Sequence, residues 1–168
     1  MKKTKGNVNK LTRGALIAAL YVTLTYLSSI LGLANGAVQI RISEALCILP
    51  IIMPEAIPGL VIGCMLSNLL TSGVLWDILF GSLATLIGAV IAYLMRGVPQ
   101  KLKWTATTPT IISNALIVPP VLIFAYGIET AYPLILLGVL TGEIISCGIF
   151  GSLLYYSLPE QLKRNCAL

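Results

Sequence analysis

Residues 77–95 read DILFGSLATLIGAVIAYLM, in which one aspartate precedes an uninterrupted run of uncharged residues. A helix needs about 20 predominantly apolar residues to cross the hydrocarbon core of a bilayer, so this stretch predicts a membrane-spanning helix. Uncharged runs of comparable length cover residues 14–40, 56–76 and 104–128. Taken together, these run lengths predict four spans.

The composition excludes a soluble fold. The 168-residue chain is 57% hydrophobic and 10% charged, with a mean hydropathy of +0.94, whereas soluble domains are about 25% charged. Two further segments, residues 42–53 and 130–158, are apolar apart from Glu44 and Glu143. Counting them predicts an all-α membrane protein, a single domain over residues 1–168 with six transmembrane helices. The expected spans are approximately 11–33, 43–53, 56–72, 75–96, 105–127 and 131–158.

The basic residues indicate which ends of the spans face the cytoplasm, because cytoplasmic loops carry an excess of Lys and Arg. With six spans and both termini inside, the cytoplasmic side holds Lys2, Lys3, Lys5, Lys10, Arg13, Arg96, Lys101, Lys103, Lys163 and Arg164, leaving only Arg41 outside. This pattern predicts a multi-pass protein of the cell membrane. The net charge of +5 follows from the same topology, so we expect no nucleic-acid partner.

Most classes of active site have no sequence signature here. The chain has no histidine, and it lacks the GxSxG pattern of serine hydrolases and the P-loop pattern of ATP-binding proteins. The four cysteines show no CxxC spacing and are interpreted as small core residues. We therefore expect that the chain is not an enzyme and that it binds no cofactor and no metal. Glu44 with Glu143 as an acid/base pair is the catalytic alternative.

Acidic residues inside or beside apolar segments are the candidate functional residues. A charge at the bilayer centre costs roughly 2.5 to 3.5 kcal/mol even on the mildest scales, so a carboxylate there needs a partner or a ligand. The predicted topology gathers at and below the outer mouth Gln39, Arg41, Glu44, Asn68, Asp77, Asn114 and Glu143. A set rich in acceptors suits a ligand rich in hydrogen-bond donors or positive charge. Alternatively, these residues satisfy one another, for instance Arg41 with Glu44 or Asp77.

Local signals refine the spans. Ser43 is expected to cap the second span, and Pro119 with Pro120 predicts a broken fifth helix that faces protein or a cavity. Small residues spaced four apart predict close helix packing at Gly59, Gly63 and Ser67, at Ala84, Gly88 and Ala92, and at Gly138, Gly142 and Ser146. In the first span, Ala15 and Ala19 lie beside Gly14 and Ala18. This group predicts either packing within the chain or docking of a partner protein at the cytoplasmic side.

Several blocks of sequence resemble the QueT-like queuosine-precursor transporter family. They are RISEAL at 41–46, PEAIPGL at 54–60, DILFGSLATL at 77–86, NALI at 114–117 and the pair Gly142-Glu143. The resemblance implies a substrate-binding S component of an energy-coupling factor (ECF) transporter, a six-helix membrane protein. Such a component works with a T subunit and two ATPase subunits. The implied ligands are 7-deazaguanines such as preQ1, preQ0 or queuine.

The resemblance also implies roles for individual residues. Glu44, Asp77 and Glu143 are expected to be ligand carboxylates, with Gln39, Arg41 and Asn114 completing the hydrogen bonds and Asn68 a weaker candidate. Ala15 and Ala19 are expected to dock the T subunit. Trp76, Tyr126 or Tyr132 is expected either to stack on the ligand or to belong to the interfacial aromatic belt. Rival hypotheses are a membrane structural or assembly protein without a ligand, and an S component for another small solute.

Overall fold

The computed structural model describes residues 2–34, 38–127, 129–161 and 163, and it has no strand within these ranges. Along these ranges six α-helices follow one another: α1 (Lys2–Ile30), α2 (Ala56–Thr71), α3 (Leu75–Leu94), α4 (Thr108–Tyr126), α5 (Tyr132–Glu143) and α6 (Gly151–Ser157). A 3-10 helix (Ile42–Ile51) separates α1 from α2. Shorter 3-10 helices at Met95–Gly97 and Gln100–Thr107 precede α4, and a π-helical segment (Ile144–Phe150) joins α5 to α6. The all-α prediction is confirmed.

In the described part of the chain, four helical stretches are long and apolar enough to cross a membrane. They are Asn7–Ile30, Leu75–Gly97, Gln100–Tyr126 and Tyr132–Ser157, while Ile42–Ile51 and Ala56–Thr71 are shorter apolar helices. The outer surface is rich in large apolar side chains such as Phe124, which is 87% exposed. An apolar exterior of this kind suits contact with lipid tails, which are equally apolar. The chain is therefore a multi-pass membrane protein.

The central element is the 3-10 helix Ile42–Ile51, which is buried from Ser43 to Ile51. It contacts α1, α2, α3, α6 and the π-helical segment, while α1 packs on α2, α2 on α3, α3 on α4 and α4 on α5. A 3-10 helix rises about 2.0 Å per residue, so this segment is shorter than the hydrocarbon core of about 30 Å. The surrounding helices supply the apolar contacts that lipid supplies to a longer span.

The predicted N-cap at Ser43 is wrong. The helix begins at Ile42, after Arg41, and no side chain caps it. Ser43 Oγ instead accepts a hydrogen bond from Thr25 Oγ1 at 2.7 Å. Two serines from other elements hold the start of the helix: Ser28 Oγ accepts from the Ile42 amide at 3.0 Å, and Ser146 Oγ accepts from the Arg41 amide at 3.1 Å. Tertiary contacts have replaced the local cap.

The predicted break at Pro119 and Pro120 is also wrong, because α4 runs without interruption from Thr108 to Tyr126. A proline removes one backbone donor, and transmembrane helices tolerate this loss where neighbouring helices and local adjustment satisfy the freed carbonyls. Here α3 and α5 pack against α4. The helix ends instead at Gly127, whose φ of 63° is the left-handed conformation that glycine adopts most easily.

Glycines provide the close approaches that the small-residue spacing predicted. A Cβ atom at Gly59 would lie 2.6 Å from the carbonyl oxygen of Gly14, so α1 and α2 touch backbone to backbone. A Cβ atom at Gly142 would overlap the carbonyl oxygen of Gln39. The loop that precedes the 3-10 helix therefore crosses α5 directly beside Glu143, and this crossing requires glycine.

Substituting Gly142→Ala should destabilise the protein, because the added methyl group must displace the Gln39 backbone. Overpacking of this kind costs about 1–3 kcal/mol. The melting temperature of the purified variant in detergent measures the effect. Gly97→Ala is the matched control, since a Cβ atom there meets nothing within 4 Å. Equal melting temperatures for the two variants would contradict the packing described here.

Candidate functional site

A polar cavity lies inside the bundle, and six predicted ligand residues line it. We call it the inner cavity; its lining residues are Gln39, Arg41, Glu44, Cys64, Asp77, Gly81, Thr85, Asn114, Val118, Val139 and Glu143. The predicted residues among them come from the loop before the 3-10 helix, that helix itself, α3, α4 and α5. The structure thus brings together Gln39, Arg41, Glu44, Asp77, Asn114 and Glu143.

Helical periodicity explains why single side chains from distant segments meet here. Residues four apart share one face of a helix, and Asp77, Gly81 and Thr85 line the cavity from α3 in this way. The pairs 114 with 118 and 139 with 143 do the same from α4 and α5. Each helix therefore presents a polar side chain next to a small or apolar one, which leaves space between the polar groups.

Glu44 is 2% exposed, and both of its carboxylate oxygens are hydrogen-bonded. The Tyr21 hydroxyl donates to Oε1, and the Cys47 thiol donates to Oε2 at 3.1 Å. Tyr21 is fully buried on α1 and was missed in the sequence analysis. A usable signal exists, because a tyrosine buried in an apolar span needs a partner for its hydroxyl.

Asp77 lies in the first turn of α3 and is 5% exposed. Its Oδ2 accepts a hydrogen bond from the Tyr126 hydroxyl at 3.1 Å, and its carbonyl oxygen accepts one from Asn68 Nδ2, also at 3.1 Å. The helix dipole favours a negative charge at this end of a helix. Asp77 is therefore held at the boundary of the site by α2 and α4 together.

Arg41 is the cationic residue of the site. Its Nη1 donates to Asn68 Oδ1 at 3.2 Å. In the described part of the chain the ion pairs within 4.0 Å are Arg13 with Glu55 and Lys163 with Glu160, so Arg41 pairs directly with neither Glu44 nor Asp77. Burial lowers the pKa of the Arg41 guanidinium, but the negative charge of Asp77 helps to raise it above its usual value. Arg41 stays charged.

Glu143 is 9% exposed and has one satisfied oxygen. Asn114 Nδ2 donates to Oε1 at 2.9 Å. Oε2 is buried, and no hydrogen-bond donor reaches it from any described residue. The π-helical segment begins at the next residue. π-Helical turns inside α-helices are frequently found at functional sites. Here the segment carries Ser146 to the Arg41 backbone.

The inner cavity has a volume of about 20 Å³, which is room for roughly one water molecule. A larger cavity of about 660 Å³, which we call the vestibule, shares Gln39, Arg41 and Asp77 with it. Its other lining residues are Thr25, Tyr26, Ser29, Ile30, Ala34, Leu70, Thr71, Ser72, Leu122 and Tyr126. The vestibule adjoins the start of α3, at the opposite end from Arg96. The side chains of Gln39, Arg41 and Asp77 thus lie between the wide vestibule and the narrow inner cavity.

The predicted aromatic residues lie in different environments. Tyr126 lines the vestibule and bonds Asp77. Trp76 is 56% exposed and stacks on Phe80 with ring centroids 5.8 Å apart. It lines a separate apolar cavity of about 380 Å³ on the outside of α3 and α4, and Tyr132 lines neither polar cavity. Asn68 does not line the inner cavity, but its Oδ1 accepts a hydrogen bond from Arg41, which does.

The small residues of α1 divide between two faces. Ala18 is buried, and a Cβ atom at Gly63 of α2 would lie 3.1 Å from its carbonyl oxygen. Gly14 meets Gly59 in the same interface. Ala15 and Ala19 are exposed on the neighbouring face of the helix, because each follows one of these buried contacts by a single residue. Packing within the chain accounts for Gly14 and Ala18, and Ala15 with Ala19 remains available to a partner.

Comparisons with known proteins agree on one family. The family model described as QueT transporter matches residues 11–160. A protein of Lactococcus lactis subsp. cremoris (strain MG1363) named "Queuosine precursor transporter QueT" is 36% identical over 88 residues. That alignment covers 52% of this chain and 50% of the relative, so the match spans about half the length of the curated protein. No solved structure matches the chain.

Removing the Tyr21 hydroxyl should destabilise the fold, because Glu44 would lose a donor in a buried site. A hydrogen bond to a charged group contributes about 1.5–3 kcal/mol. We therefore expect Tyr21→Phe to lower the melting temperature of the purified protein. Tyr26→Phe removes a hydroxyl from the same helix at a side chain that is 55% exposed, and it should have little effect. Equal melting of both variants would argue against the Tyr21–Glu44 bond.

Proposed function

Because the chain belongs to the QueT transporter family, we propose that it captures a queuosine precursor at the outer face of the cell membrane for import. The observation that carries this proposal is the convergence of six polar side chains on one cavity beneath an open vestibule. The name of the Lactococcus lactis relative supports the same class of ligand. Membership of a transporter family argues against catalysis by Glu44 and Glu143.

The chemistry of the site suits the ligand class. A carboxylate can accept two parallel N–H bonds, and the guanine-like edge of a 7-deazaguanine supplies such donors. We assign Glu44, Asp77 and Glu143 to this role. Gln39, Asn114 and Arg41 supply the remaining donors and acceptors, and Asn68 positions Arg41.

The ligand enters through the vestibule. A bicyclic base does not fit into about 20 Å³, so it first contacts Gln39, Arg41 and Asp77, which line both cavities. These side chains then move apart, and the polar edge of the ligand reaches Glu44 and Glu143. In this step Tyr126 must break its hydrogen bond to Asp77, so the Tyr126 side chain becomes a contact of the incoming ligand. Its ring is better placed than those of Trp76 and Tyr132 for this contact, since neither of them lines the vestibule.

We further propose that the chain is one domain that crosses the membrane six times. The helices Ile42–Ile51 and Ala56–Thr71 are then the second and third crossings, in addition to the four longer stretches. Both termini lie in the cytoplasm, which places the basic clusters inside and the vestibule outside. The burial of Ser43 to Ile51 fits a crossing that touches protein rather than lipid.

The transport role is that of an S component in an ECF transporter. The chain has no P-loop sequence for ATP, so energy comes from partners: a T subunit and two ATPase subunits. Ala15 and Ala19 form the docking surface for the T subunit. Their exposure, beside Gly14 and Ala18 that are already engaged with α2, supports this assignment.

A ligand titration of the purified protein tests the capture function. At 100 times its dissociation constant a ligand stabilises a protein by about 2.7 kcal/mol. We expect a rise in melting temperature with at least one of preQ1, preQ0 and queuine, and none with guanine. Asp77→Asn should weaken binding roughly 10- to 150-fold, because a charge-assisted bond is lost. Glu160→Gln, at a side chain that is 71% exposed, is the matched control. No shift with any precursor would favour a structural protein or another solute.

The docking surface is tested separately. Replacing Ala15 and Ala19 by leucine should prevent close approach of a partner helix while leaving the inner cavity intact. The double variant is expected to bind ligand like the wild type but to lose co-purification with the T subunit. Ala131→Leu adds the same bulk at an exposed alanine outside α1 and should keep the complex. Retention of the T subunit by the double variant would refute the docking surface.

A further inference from the structure

We propose that the unpartnered oxygen of Glu143 selects ligands that carry a protonated amine over uncharged ligands with the same ring system. The inference rests on the proposed function, since it specifies how the same cavity distinguishes between queuosine precursors. It concerns one atom, Oε2 of Glu143, and the charge balance around it.

Glu143 Oε2 is the buried carboxylate oxygen that no described residue satisfies. Its sister oxygen Oε1 accepts from Asn114, whereas both oxygens of Glu44 are bonded and Asp77 Oδ2 accepts from Tyr126. A buried polar atom without a partner is rare in folded proteins and calls for an explanation. A donor from outside the chain resolves it.

The charge balance indicates that this donor is cationic. Glu44, Asp77 and Glu143 line the inner cavity together with a single guanidinium, that of Arg41. Arg41 donates to Asn68, and the donors to the three carboxylates are neutral tyrosine, cysteine and asparagine groups. By formal count the lining holds three carboxyl groups and one guanidinium. An ammonium group supplies both a positive charge and three N–H donors.

The cation that meets Glu143 is an amine of the ligand and not a bound metal ion. In the described ranges no group of three or more Asp, Glu, Cys or His side chains is arranged to hold a metal ion. The carboxylates are spread around the cavity, and only one of their buried oxygens is unpartnered. A single free acceptor suits an amine at the end of a ligand substituent, while other residues of the cavity bind the ring of the ligand. A sodium ion would need several oxygens converging on it.

The test compares preQ1 and preQ0, which share one bicyclic ring but carry an aminomethyl group and a nitrile respectively. Hydrogen bonds to charged groups are roughly twice as strong as neutral ones. We therefore expect the wild type to bind preQ1 at least about tenfold more tightly than preQ0. Glu143→Gln preserves the shape and the acceptor for Asn114 but removes the charge. It should bring the affinity ratio close to one, mainly by weakening preQ1.

Two controls separate Glu143 from its surroundings. Asp77→Asn should weaken both ligands by similar factors and preserve the ratio, because Asp77 lines both cavities and would contact the ring system that the two ligands share. If the ratio of preQ1 to preQ0 affinity fell as far in Asp77→Asn as in Glu143→Gln, the inference would be overturned. The overall negative charge of the cavity, and not Glu143 alone, would then account for the selectivity. Replacing sodium by choline should leave preQ1 binding unchanged. Loss of binding without sodium would assign the site to an inorganic cation.

The inference and the proposed function fail in different ways. If the wild type binds neither ligand, the capture function itself is refuted. If it binds both with a ratio below about threefold, only the inference is refuted, and this result does not depend on how any variant folds. A ratio unchanged in a Glu143→Gln protein with wild-type melting temperature would also refute the inference alone.

Discussion

The dominant physical constraint on this molecule is the burial of three carboxylates within a bundle whose exterior suits lipid. In hydrocarbon an unsatisfied charge is costly, so each acid must meet donors from other segments. Tyr21, Tyr126 and Asn114 supply these donors from α1 and α4. The acids themselves come from the 3-10 helix, α3 and α5. The polar contacts thus tie together elements that are far apart in the sequence.

The short 3-10 helix is the means by which this constraint is met. Its burial on all sides lets Glu44 enter the centre of the bundle without touching lipid. Serines on α1 and the π-helical segment hold its start, and the absence of a side chain at Gly142 lets the preceding loop cross α5. The vestibule and the inner cavity share Gln39 and Arg41 of this loop as lining residues. Binding, in the proposed function, acts on the same contacts that hold the fold.

Much of the architecture was predictable from the sequence, because uncharged runs and the cost of buried charge are strong signals. The acids, Gln39, Arg41 and Asn114 do meet, as their positions at the ends and centres of spans predicted. Features set by tertiary contacts were not predictable: the missing cap at Ser43 and the uninterrupted helix through Pro119. The two faces of α1 were also ambiguous, because spacing alone does not tell which small residues meet α2. The family match over residues 11–160 agrees with the resemblance in the sequence blocks.

Isothermal titration calorimetry of the purified wild-type protein with preQ1 is the sharpest test of ligand capture, because it measures affinity and stoichiometry without reference to folding. We expect saturable binding of one ligand per chain, since the shared lining of the two cavities forms a single route to the acids. Heats that remain at the level of ligand dilution up to millimolar preQ1, with protein that is folded and monodisperse, would contradict it.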